Sequence, residues 1–102
     1  MYLAKVIGNV VSTHKEEKIE NVALLLVDKI DPKTCKVSGA VAVAIDSVGA
    51  GPGEYVLVVT GSSARMTQAT NGRPCDAAIM AIVDIIEVNG EFTYQKGVHD
   101  PG

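Results

Sequence analysis

No tryptophan occurs in the 102 residues, and only three tyrosines and one phenylalanine do. Proteins that hold single-stranded nucleic acid stack bases on aromatic side chains inside a basic groove. Tyr2, Tyr55, Phe92 and Tyr94 supply little platform, and the charge balance supplies no groove. Nine lysines and arginines stand against twelve acids, for a net charge of -3. The basic residues (Lys5, Lys15, Lys18, Lys29, Lys33, Lys36, Arg65, Arg73 and Lys96) are scattered, whereas phosphate binding needs them clustered. No nucleic-acid partner is expected.

Cysteine is limited to Cys35 and Cys75, with no C-x-x-C pair. That pattern excludes a disulfide scaffold and a cysteine-rich zinc site, and two reduced thiols in a cytosolic protein are expected. Histidine is as scarce: His14 lies in a charged stretch and His99 near the end. Nucleophilic catalysis needs a Ser or Cys beside a base, and G-x-S-x-G is absent. The acids Asp28, Asp31, Asp46, Asp76 and Asp84 stand singly, unlike a calcium loop. No catalytic residue, metal or cofactor is expected. Asp46 and Asp84 sit among apolar residues and are expected to be buried and hydrogen-bonded. No run approaches the ~20 apolar residues of a membrane span, and the start MYLAKVIGNVV lacks the apolar core of a signal peptide. The expectation is a soluble cytoplasmic protein with no membrane partner.

What the chain does have is aliphatic residues: 47% is hydrophobic, nearly all of it Val, Ile, Leu and Ala. These suit strands and close-packed interfaces. The length fits one domain, and a chain this short buries only roughly 60–65% of its unfolded surface. Association with further subunits is an ordinary supplement to so thin a core.

The strand pattern runs along the chain. Tyr2 to Thr13 reads as a long strand, with Gly8 marking a bend or bulge. HKEEKIEN, residues 14 to 21, reads as a solvated loop. Ala23 to Asp31 is a second strand, closed by a turn at Asp31-Pro32-Lys33-Thr34. Ala40 to Ser47 is a third, in which Val41, Val43 and Ile45 alternate with alanine, placing large residues on one face and small ones on the other. Tyr55 to Thr60 is a fourth. Asp76 to Val88 fits both a helical period (Ile79, Ile82, Val83, Ile86, with Asp76 as cap) and a strand. It is read as a short helical turn followed by a fifth strand. Asn89-Gly90 predicts a tight hairpin turn leading to a sixth strand, Glu91 to Gln95. The expected fold is all-β: a five- to six-stranded OB-like barrel with one short helical insert, spanning residues 1–96, with 97–102 a loose tail.

Two glycine-bearing segments stand out. Gly49-Ala50-Gly51-Pro52-Gly53-Glu54 resembles a phosphate loop at first sight, but such loops run from a strand into a helix. Here a strand follows, and Pro52 has no N–H to offer an anion. Gly49, Gly51 and Gly53 are read as a structural turn needing unusual φ values. In Gly61-Ser62-Ser63-Ala64-Arg65, a serine could cap a helical turn, and Arg65 suits a carboxylate on a neighbouring subunit. Arg65 is expected to pair across an interface.

Taken together, four stretches occur in order. They are Leu3 to Thr13 (LAKVIGNVVST), Ala44 to Glu54 (AIDSVGAGPGE), Gly61 to Arg65 (GSSAR), and Asp76 to Asp84 (DAAIMAIVD). This combination resembles the bacterial microcompartment vertex family, the ethanolamine-utilisation and carboxysome vertex proteins. The likeness covers nearly the whole chain; Tyr55, Ala23 and Cys75 depart from the family's usual residues without touching these motifs. The resemblance implies a small β-barrel that forms homopentamers at the vertices of a polyhedral shell in the cytoplasm. The facets of that shell are made of hexameric shell proteins. The subunit interface is assigned to Gly61, Ser62, Ser63, Ala64 and Arg65 with Asp46 and Asp84. The alternative is an OB-type module that binds a ligand or oligonucleotide without catalysis. It would need clustered basic and aromatic groups on one barrel face.

Overall fold

The structure, a computed structural model, describes residues 1–11, 23–61 and 77–98. Seven strands follow in order: β1 (Tyr2–Val10), β2 (Ala23–Ile30), β3 (Val37–Asp46), β4 (Tyr55–Thr60), β5 (Ala77–Ile82), β6 (Ile85–Val88) and β7 (Glu91–Gln95). The first five close into a barrel in the order β1-β2-β3-β5-β4, and β6 and β7 form a separate two-stranded sheet. Neighbours in the barrel are antiparallel except β3 and β5, which run parallel and meet only at Ile45–Ala78 and Asp46–Ile79.

Alternation along each strand decides which residues fill the barrel. Ala4 and Val6 of β1, Leu25 and Val27 of β2, Ala44 of β3, Val56 and Val58 of β4, and Ala77 and Ile79 of β5 form one buried cluster. On β3 the small residues turn inward, so Val41 and Val43 point outward and stay about half exposed, at 50% and 47%. A narrow barrel has room for alanine at those inner positions and not for valine on every strand. Each Val or Ile side chain fully removed from water contributes roughly 1.5–3 kcal/mol. On the outer surface Val59 pairs with Ala78, and both are buried there.

A second cluster ties the β6–β7 sheet to the barrel. Ile86 and Tyr94 pack with Ile30, joined by Leu3, Cys35, Tyr55, Val83 and Val88. The Tyr55 and Tyr94 rings meet edge to face, with centroids 4.5 Å apart at 67°, a favoured aromatic geometry. The turn between β6 and β7 is Asn89-Gly90, with φ of 53° and 81°, the mirror-image turn that a two-residue hairpin requires.

The barrel has five strands, and the all-β expectation stands. The short helical turn expected at the start of the Asp76–Val88 segment does not: Ala77–Ile82 is strand, and no helix occurs among the described residues. The β-branched residues that matched a helical period also match alternation. Burial of Ala77 and Ile79 in the barrel with Ala78 outside settles it as strand. The Asp76 cap lies outside the described residues. Four boundaries also differ: β2 ends at Ile30 rather than Asp31 and β3 at Asp46 rather than Ser47, one residue each. β1 ends at Val10 rather than Thr13, within the described residues up to 11, and β3 begins at Val37 rather than Ala40. Gly39 sits inside β3 with φ +86°, held by its N–H donating to Asp28 Oδ1 at 2.9 Å.

Candidate assembly surface

The connection from β3 to β4 is built from its acids. Asp46, only 8% exposed, accepts the Val48 N–H at Oδ1 and the Ala50 N–H at Oδ2, both at 3.0 Å. One carboxylate thus satisfies two amides that the turn would otherwise leave without partners. Gly49 and Gly53 take φ of +79° and +84°, which a side chain would resist; Gly51 does not need it. The far side of the turn is fastened to the barrel, where Gly53 N–H donates to Val6 O at 2.8 Å and Val6 N–H to Glu54 O at 2.9 Å.

Glu54 is the hinge of this fastening. Its Oε1 accepts the Gly51 N–H and its Oε2 accepts the Lys96 ammonium, so the glycine turn is linked to the residue after β7. The Lys96 hydrogen bond, and then the Gly51 N–H, hold the Glu54 carboxyl below its ordinary value of 4.5. Glu54 in turn raises Lys96 above 10.5. The depressed carboxyl contributes stability above about pH 4.5 that is lost as pH falls through its folded value. The raised ammonium contributes below about pH 10.5 and is lost above its folded value. The pair is substantially exposed, so its effect is small. Lys96→Met is therefore expected to lower the melting temperature slightly near pH 7. That difference should shrink at a second, acid pH value, as Glu54 becomes protonated in the folded state as well as the unfolded one. A difference of the same size at both values would show that Lys96 acts through packing instead.

The remaining sequence-assigned residues are placed as follows. Gly61 ends β4 with φ +63° and is exposed; Ser62, Ser63, Ala64 and Arg65 lie outside the described residues. Asp84 is exposed at the junction of β5 and β6, not buried, because both strands' inner faces are filled by aliphatic side chains. Its carbonyl accepts the Lys96 N–H at 2.8 Å. Asp46 is buried, but its carboxylate is committed to its own turn. Asp28 is buried as well (6%). The Glu54–Lys96 link escaped sequence reasoning, since 42 residues separate the partners and no local pattern marks them. Among the described residues no group of three or more His, Cys, Asp or Glu is placed to hold a metal, and no helix is long and apolar enough to cross a membrane.

These features define a class: a small closed β-barrel with an appended hairpin, whose ordered surface chemistry lies in pinned turns. The family model described as "Ethanolamine utilisation protein EutN/carboxysome" matches residues 1–84, and the chain belongs to this family. The bacterial microcompartment shell vertex protein GrpN of Rhodospirillum rubrum is 46% identical over 87 residues, 85% of this chain and 97% of GrpN. The carboxysome shell vertex protein CcmL of Synechococcus elongatus is 41% identical over 99 residues, 97% of this chain and 99% of CcmL. The solved structure of CcmL from Nostoc sp. matches with a TM-score of 0.88 at 43% identity, covering 94% of this chain and 100% of that one. The structure of GrpN, a pentameric microcompartment shell protein, matches at 0.78, covering 86% and 99%.

Proposed function

We propose that this chain is a structural shell protein. Five copies close into a ring that caps a vertex of a bacterial microcompartment in the cytoplasm, and the chain catalyses no reaction. The observation that carries this reading is the match along nearly the full length to proteins named as shell vertex proteins, one of them pentameric. The geometry of closure supports it. Six-fold tiles lie flat, and a five-fold unit supplies the curvature that a closed polyhedron needs. The facet partners are hexameric shell proteins; nucleic acid and membrane are not partners.

Finer assignments rest on the same reading. The barrel is of the OB type, supported by its closure order and its parallel β3–β5 pair. One domain spans 1–96, its end fastened by the Glu54–Lys96 link, and 97–102 is a tail. Gly61 follows β4, and the Gly61–Arg65 element, with the exposed Asp84, contributes to the subunit interface. Asp46 serves that interface indirectly, by fixing the Gly49–Gly53 turn.

Co-assembly with a hexameric facet protein tests the role. With this chain present, electron microscopy is expected to show closed polyhedra; without it, open sheets or tubes. Equal closure in both samples would remove the vertex assignment.

A further inference from the structure

Gly8 lies inside β1, where a glycine weakens the strand and often marks close approach of another backbone. Its own backbone does not demand it. A bulge that requires glycine holds that residue in the left-handed region, and Gly8, beside the register shift at Val6, does not have a positive φ. Space does not demand it either. A Cβ at this position would meet Leu26 alone, 3.5 Å from Cδ1, an ordinary van der Waals distance. Within one copy, alanine would serve at position 8 and would favour the strand.

What glycine leaves open is an apolar groove on the outside of the barrel. Leu25 and Val27 fill the interior, which turns Leu26 outward between them. Its cross-strand neighbours are Gly8 on β1 and Val43 on β3. With no side chain at Gly8, Leu26 floors a depression between Ile7, 46% exposed, and Val43, 47% exposed. The next cross-strand pair, Val10 and Leu24, extends it and is half-buried. None of these residues is charged. Antiparallel sheets commonly keep polar residues on the solvated face, whereas this one is apolar on both.

We propose that this groove is covered by the next copy in the ring, whose surface seats against Gly8 and Leu26. The contact rests on the ring reading and gives it a surface. Permanent contacts between identical subunits are the apolar, charge-poor class of interface, which favours a second copy over a facet protein as the occupant. A neighbour resting on Gly8 also explains a glycine that the fold of one copy does not require.

Native mass measured against protein concentration tests it, for the wild type, Gly8→Ala, Gly8→Val and Val43→Lys. One copy accommodates the added methyl of Gly8→Ala, so its far-UV circular dichroism spectrum should match the wild type's. Assembly should nonetheless need about tenfold more protein, the effect of overpacking a fitted contact, and more again for Gly8→Val. Val43→Lys, at a half-exposed site away from the bulge, places a charge in the contact and should also need at least about tenfold more. If Gly8→Ala disturbed the spectrum, Val43→Lys alone would decide. Variants that assemble at the wild-type concentration would overturn the contact while leaving the ring standing. So would variants that keep the five-fold mass but lose co-assembly with a hexameric facet protein, since that protein would then be the occupant. A wild type that forms no ring would overturn the ring reading itself, and the contact with it.

Discussion

Ile79→Ala is expected to lower the unfolding free energy by about 2–5 kcal/mol, a large share of the roughly 5–15 kcal/mol available to a small domain. Ile79 is 1% exposed, lies beside Val58 on β4 and Asp46 on β3, and sits in the cluster to which all five barrel strands contribute. Alanine there removes three carbons from a site that closed strands cannot collapse around. Its neighbour Met80 is 49% exposed, and Met80→Ala is expected to change stability by no more than about 0.5 kcal/mol. Adjacent residues with opposite outcomes are the mark of a strand. Denaturant midpoints at one fixed protein concentration make the comparison, because assembly itself shifts apparent stability. Similar losses at both positions would contradict the placement of β5.

Asp46→Ala is expected to cost about 2–4 kcal/mol, since two turn amides lose a charged acceptor at a buried position. Asp46→Asn keeps one acceptor oxygen and should recover part of that loss. Hydrogen exchange adds a local readout: the Val48 and Ala50 amides, which now donate to Asp46, should lose protection in the alanine variant. If their protection survived, another acceptor would have to hold the turn.

Much of the strand order is legible from local pattern. Tyr55–Thr60 and Glu91–Gln95 fall where alternation and the Asn89-Gly90 turn place them. Gly8 marks an irregularity, since the β1–β2 register shifts between Val6 and Gly8. The Val/Ala alternation of β3 gives two unlike faces, but not which one faces in; that follows from the width of a five-stranded barrel. Residues 77–82 are harder, because a dense run of Ile, Ala and Val satisfies both periods and only pairing with β3 and β4 decides between them. At the surface, Asp46 is visible as an acid among apolar residues, whereas its two amide partners become apparent only once the turn is built. Asp84 carries the same local signal and is exposed, so that signal alone does not report burial. The Glu54–Lys96 link and the meeting of Ile30 with Ile86 and Tyr94 depend on distant segments converging.

The central claim is that copies of this chain close into a five-membered ring, and native mass in solution tests it most directly. Light scattering behind a sizing column is expected to give a five-fold multiple of the 10.7 kDa chain, with no other closed species. A stable monomer at micromolar concentration would contradict the account.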